Sequence, residues 1–133
     1  MLFRSTRITI PHALKARLAR GHWADGAPSE HLNFQAMASA GSLLSTANDL
    51  LKFLSVNLGF TQTQLTPLMQ EMQVIRHTSS SRFGKTAMPW FDEGVYNPPG
   101  ADLLAHGGGG FGNLAFMGFD KKKRCGVDRK SVV

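Results

Sequence analysis

Only one cysteine, Cys125, occurs among the 133 residues. The chain therefore has no internal disulfide and no cysteine-built metal cluster. No apolar run approaches the roughly 20 residues of a membrane-spanning helix, and no uninterrupted apolar core follows the early arginines as a secretory signal would require. Acids are scarce as well: 9 Asp and Glu stand against 15 Lys and Arg, a net charge of +6. An excess of that sign suits nucleic acid, anionic lipid or an acidic small molecule. Its distribution argues against the first. One basic group lies at Arg4, Arg7, Lys15, Arg17 and Arg20 and a second at Lys121, Lys122, Lys123 and Arg124, then Arg129 and Lys130. Neither interleaves aromatics as a base-stacking platform does. "KKKR" is read as a solvated turn between two strands, and no nucleic-acid partner, metal or cofactor is expected. The arginine-rich, acid-free start imitates an organellar transit peptide, but Pro11 and the strand-like "RITI" interrupt any long amphipathic helix.

What is present suits one modest domain with a core, since 42% of the residues are hydrophobic. "RITI" at 7–10 reads as a strand end feeding a short helix behind Pro11, with Ala13, Leu14 and Leu18 at helical spacing. "GHWADGAPS" at 21–29 is a loop by composition. The clearest helix lies within "SAGSLLSTANDLLKFLSVNLG", where Ala47, Leu50, Leu51, Leu54 and Leu58 share a face, Thr46 or Ser45 can cap the start, and Gly59 ends it. Thr66-Pro67 predicts a second capped start, with a helix from Pro67 to about Val74. "RHTSSSR" reads as exposed loop. After Arg82 the pattern turns extended: "FGKTAMPWF", "DLLAH", "FGNLAFMGF" and "RCGV" are short segments broken by Gly, Pro and Asp. Helices preceding strands predict an α+β fold, with antiparallel strands around 103–106, 113–119 and 124–127. Both faces of that sheet read as apolar, so helices are expected on each side.

The glycine run in "LLAHGGGGFGNLAFMGFD" at 103–120 admits several readings. Gly107, Gly109 and Gly112 spell a dinucleotide fingerprint, but the residues after Gly112 have strand character where a helix is needed. "FGKT" at 83–86 imitates a phosphate loop whose first glycine would be Ser79. An oxyanion-hole loop of the lipase type should precede a Gly-x-Ser-x-Gly elbow, and downstream only Ser131 is available. From composition alone, the plainest reading is a glycine-rich turn between strands, with His106 at an edge.

A resemblance adds a further reading. "ITIPHALKARLARGHWADGAPSEHLNFQAMASAGSLLSTANDLLKFLSVNLG", followed by "AHGGGGFGNLAFMGFDKKKRCGV", resembles the later part of the penicillin-recognising serine hydrolases, a family of class C β-lactamases, D-alanyl-D-alanine carboxypeptidases and related esterases. It covers most of residues 7–127. Its most specific pieces are "AGSLLSTANDLLKFL" and the succession of His-x-Gly, glycine-rich turn, apolar strand ending in "GFD", and basic turn. The resemblance implies a partial β-lactamase-like fold, with His106 as a catalytic group that orients substrate or moves a proton, and with Gly107, Gly108 and Gly109 binding substrate. It also implies a small-molecule or peptide substrate and a periplasmic or secreted parent, and it leaves the oligomeric state open. The physics is compatible: an imidazole suits proton transfer as a residue type, and a bare Gly108 leaves room for a substrate backbone beside the strand.

The family's nucleophile motif, Ser-x-x-Lys, is missing, because no lysine here has a serine three residues before it. Tyr-x-Asn is missing too; Ser55-Val56-Asn57 spells its Ser-x-Asn alternative only inside the amphipathic helix. Both motifs precede this region in the family, so the chain reads as a C-terminal piece, residues 1–127, without the nucleophile. The alternative is a non-catalytic module that binds a peptide or acyl-D-amino-acid end. The last six residues, "DRKSVV", depart from the apolar strand the family would continue. Back-translated with one allowed choice of codons, they spell the start of a common sequencing adapter, and 128–133 is therefore expected to be a foreign tail.

Overall fold

The computed structural model describes residues 3–31, 35–78, 80, 84–92 and 100–132. The first part is irregular and helical: 3-10 helical stretches at His12–Arg17 and Gln35–Ala40, then α1 (Ala47–Asn57) and α2 (Thr66–Glu71). Six strands come next: β1 (His77–Thr78), β2 (Lys85–Thr86), β3 (Phe91–Asp92), β4 (Leu103–Gly110), β5 (Asn113–Asp120) and β6 (Cys125–Val132). They form one antiparallel sheet whose spatial order is their chain order. The expected α+β class holds. "RITI" contributes only a bridge from Arg7 to Leu44, and the helix behind Pro11 is 3-10 rather than α.

The three long strands give the sheet its body. β4 pairs with β5 along its whole length, from Leu103 opposite Asp120 to Gly110 opposite Asn113, and β5 pairs with β6 in the same complete way. The expected pairing of 103–106 with 113–119, and of the latter with 124–127, is present and extends further. Between β5 and β6, "KKKR" is a turn, with Asp120 as its fastener: the buried carboxylate accepts the Lys123 N–H at 2.9 Å. That bond, the largest of several, holds Asp120 below the usual carboxylate range. Arg124, at φ 53°, lays its guanidinium over Phe60 at 4.7 Å and ties the turn to the segment after α1.

Partners in adjacent strands share a face, as do alternate residues in one strand. Leu104, Phe119 and Gly126 therefore lie on one face, and that face meets α1. Leu54, Trp90, Leu104 and Phe119 make the core, with Trp90 edge-on to Phe119 at 4.9 Å. A Cβ at Gly126 would touch Phe119 and Leu58, so the bare glycine lets α1 sit close to β6. The opposite face carries Leu114, Phe116 and Val127, of which Leu114 and Val127 are about half exposed at 49% and 51%. The expectation of helices on both sides is thus corrected: among the described residues, α1 packs on one face.

Several local readings also change. Thr46 does cap α1, accepting the Asp49 N–H at 3.3 Å. The stripe on α1 differs, because Leu51 is 52% exposed while Asp49, Val56 and Asn57 are buried. α1 has neighbours on more than one side: Gln73 reaches Asn57 beside α2, and Phe53 stacks on Phe3. Thr66 is no N-cap; Leu65 holds that place, and Thr66 Oγ1 instead accepts the Thr63 N–H at 2.8 Å. α2 stops at Glu71 rather than near Val74. His77–Thr78, read as loop, pairs with Lys85–Thr86, which turns the phosphate-loop mimic into a strand; Ser79 and residues 81–83 lie outside the described residues. Asp128–Val132 extends β6 beyond the expected 124–127, and charged residues such as Arg129 and Lys130 stay exposed there as an edge strand permits.

The buried acid of α1 has a specific task. Asp49 Oδ2 accepts the N–H groups of Ser5 (2.6 Å) and Arg4 (3.0 Å) and the Thr6 hydroxyl (3.0 Å), with Lys52 Nζ 3.6 Å from its other oxygen. It fastens the segment at 4–6 to the start of α1. The Ser5 N–H foremost, then the Arg4 N–H and the Thr6 hydroxyl, lower its pKa from 3.8 to about 2, against the opposing effect of burial. A folded pKa below the unfolded one gives stability that is present above about pH 4 and lost as the pH falls toward 2. In urea unfolding, the midpoint of Asp49→Asn should fall less than the wild-type midpoint between those pH values. Equal acid sensitivity in both proteins would refute this role for Asp49.

Candidate functional site

The glycine run is neither a loop nor a turn. Gly107 through Gly110 are strand residues of β4, opposite Phe116, Ala115, Leu114 and Asn113, and the turn is confined to Phe111-Gly112, at φ 48° and 74°. Positive φ at both central residues of a two-residue hairpin is the primed geometry that suits strand twist. A helix after Gly112, which the dinucleotide reading needs, is absent; β5 begins at Asn113.

His106 and Gly108 share the face of Leu104 and Phe119, whereas Gly107 and Gly109 point to the other. The four residues singled out in sequence therefore divide between two faces. Along β4, Leu104 is only 1% exposed, yet His106, two residues on, is exposed. The strand has run out from under its apolar cover at that point. Phe91, on β3, lies against the imidazole, with ring centroids 5.5 Å apart and planes 34° from parallel. Met117 is the cross-strand partner of His106, and Asp128 comes next on the same face, on β6, its carboxylate ion-paired with Lys130.

The second feature is an open edge. β3 meets β4 at the single pair Phe91–Ala105. Beyond it, among the described residues, 106–110 carry β5 on one side and no strand on the other. Backbone N–H and C=O groups on such an edge are ready to pair with an added extended segment. Glycine chemistry fits that use. A Cβ at Gly108 would meet nothing within 4 Å, and one at Gly107 would make only ordinary contact, 3.6 Å from the Ala115 carbonyl oxygen. Described packing does not require glycine at either position. Each glycine also costs about 0.5–1 kcal/mol of strand stability relative to alanine.

Two hollows, of about 400 and 430 Å³, occur among the described residues: one among Ile8, Ile10, Leu18 and Leu44, the other beside Gly108, Leu114, Ala115, Phe116 and Arg129. Neither includes His106, and the second meets the candidate residues at Gly108 alone. Among the described residues there is no cluster of His, Cys, Asp and Glu that could hold a metal ion, and no helix is long and apolar enough to cross a membrane. The sequence reading missed Phe91 as the neighbour of His106. It also missed the approach of the Gly21–Ser29 loop to the β4–β5 turn, for which Trp23, a large aromatic in a glycine-flanked loop, was the available signal.

No family model and no curated protein matches this chain. Solved structures do. A class C β-lactamase from Rhodobacter sphaeroides superposes with a TM-score of 0.83 over 98% of this chain and 45% of its own, at 19% identity. A D-alanine carboxypeptidase from Burkholderia cenocepacia gives 0.82 over 96% of this chain and 45% of its own, at 20% identity. An octameric penicillin-binding protein homologue from Pyrococcus abyssi gives 0.77 over 98% and 30%, at 19%. The chain spans less than half the length of these structures. At such identities the likeness is one of fold: helices and a six-stranded antiparallel sheet in the arrangement of part of a β-lactamase-like domain, as in class C β-lactamases and D-alanine carboxypeptidases.

Proposed function

We propose that this chain is part of a serine hydrolase of that fold, in which an acyl group passes from a β-lactam, a D-alanyl-D-alanine peptide or an ester to a serine. The chain contributes the His-x-Gly wall of the site, and the nucleophile comes from sequence outside these 133 residues. The observation that supports this most is the edge of β4, which has no neighbouring strand from His106 onward among the described residues, with His106 and Gly108 on one face. An acylating substrate lies along it as an added strand. Gly108 leaves the face beside the substrate backbone clear. His106, held against Phe91, orients the substrate or moves a proton as the acyl group is transferred. Gly107 and Gly109 serve through their backbone, since an edge-bound substrate is gripped by main-chain groups.

A second reading has one observation in its favour, the absence of Ser-x-x-Lys: the same edge would bind a peptide or acyl-D-amino-acid end without turnover. A labelled penicillin separates the two, because acylation requires a serine nucleophile and binding does not. The chain alone is expected to leave a chromogenic cephalosporin intact, since losing an activated serine costs serine hydrolases on the order of a millionfold in turnover. Turnover at enzymatic rates by the purified chain would overturn the assignment of the nucleophile to sequence outside it. The longer gene product should become labelled at a serine; if it binds penicillin only reversibly, the binding-module reading takes over.

Gly108 separates function from folding. With open space where its Cβ would be, Gly108→Ala should raise the chain's stability by roughly 0.5 kcal/mol through the unfolded state. In the longer protein it should weaken acylation by penicillin. Urea unfolding and labelling rate check the two halves, and a destabilised variant would mean that local packing, not a substrate, requires the glycine.

A further inference from the structure

Four consecutive glycines make β4 a soft strand, because each has wide backbone freedom and no side chain with which to pack. Its open edge has no neighbouring strand from 106 to 110 among the described residues. A substrate added to such an edge would have to pay for ordering it, unless something else already holds the strand.

The loop from Gly21 to Ser29 meets the end of β4 where that support is needed. It is itself well braced: Ser29 N–H bonds the Gly21 carbonyl at 2.9 Å, Trp23 N–H the Ala27 carbonyl at 2.8 Å, and Gly26 N–H the Trp23 carbonyl at 2.8 Å. From this brace His22 N–H reaches the Gly112 carbonyl at 3.3 Å, and the Ser29 hydroxyl donates to the Phe111 carbonyl, which also accepts the Asn113 side-chain amide at 3.2 Å. Both halves of the contact are glycine. A Cβ on Gly112 would run into the backbone of His22, and one on Gly21 would lie 2.5 Å from the Asn113 amide and 2.6 Å from the Phe111 carbonyl oxygen. Trp23 then closes over Phe111, ring centroids 5.7 Å apart and tilted by 56°. These contacts span about ninety positions of sequence and converge on the two-residue turn that ends the glycine strand.

We propose that the Gly21–Ser29 loop is a clamp on the β4–β5 turn, and that Trp23 is a positioning residue that keeps the open edge of Gly107–Gly110 straight for a substrate. The proposal rests on the reading of that edge as the substrate's docking strand. The clamp orders the glycine strand before anything binds, so the cost of straightening it falls on folding rather than on substrate affinity. Gly21 and Gly112 permit the approach, and the Trp23–Phe111 pair secures it.

Amide hydrogen exchange on the 133-residue chain tests the clamp without any activity. In Trp23→Ala, those amides of 107–113 that bond across to the partner strand should exchange roughly 2- to 12-fold faster, the factor that one aromatic pair's usual worth converts to. The amides of Leu54, Leu104 and Phe119 should keep their wild-type rates, and Trp23→Phe should restore protection at the turn. Gly21→Ala, which pushes the loop off the turn without altering β4, should reproduce the effect. Unchanged exchange at 107–113 in both variants, equal acceleration at Leu54, Leu104 and Phe119, or failure of both variants to fold would overturn the proposal. Failure of the longer protein to be acylated by penicillin would instead remove the substrate and leave the exchange result standing.

Discussion

A strand made of glycines is held only by what borders it. Gly107–Gly110 offer no side chains to a core, so their geometry is borrowed from three sources: the complete ladder to β5, the turn at Phe111-Gly112, and the apolar anchor where β4 begins. Leu104 sits with Leu54, Trp90 and Phe119 beneath α1, and it fixes both the register and the facing of everything further along the strand. Because side chains alternate, burying Leu104 forces His106 and Gly108 onto the same face. A slip of one residue would put the imidazole on the opposite side of the sheet.

Core and candidate site thus share one surface, divided by where α1 ends its cover. Under the helix the face is apolar and closed; beyond it, the same face carries His106 with Met117 and Asp128 beside it, and then Gly108. On the function proposed above, such a site would be an edge supported from behind, whose chemistry would come from main-chain groups as much as from side chains. On that proposal, an extended substrate with amide or ester groups of its own would be the kind that such an edge accepts.

Much of this could be read in the sequence where the determining interactions are local. The start of α1 was legible because Thr46 caps it from three residues away, and the β4–β5–β6 succession because alternation and turn residues fix hairpins over short distances. Non-local facts were not legible. Asp49 looks like an ordinary first-turn acid until the segment at 4–6, more than forty positions earlier, is brought to it. Thr66-Pro67 has the composition of a cap, yet Thr63 takes the hydroxyl. The glycine run was read as a turn because glycine commonly breaks strands; neighbouring strands override that preference. His106 became a candidate by resemblance, and nothing in the local sequence pointed to Phe91 as its neighbour.

The order of strands in the sheet is their order along the chain, and that has a kinetic meaning. Every pairing joins sequence neighbours, with turns of two residues between β4 and β5 and four between β5 and β6. Among the described residues no strand must wait for a distant one before it can dock, so the loop-closure cost of each pairing is small. The long-range fastenings, Asp49 to residues 4–6 and the Gly21–Ser29 loop to the Phe111-Gly112 turn, can close only after α1 and the β4–β5 turn exist. The larger loop-closure cost therefore falls on these two fastenings, which bridge more than forty and about ninety positions, and not on any described strand pairing.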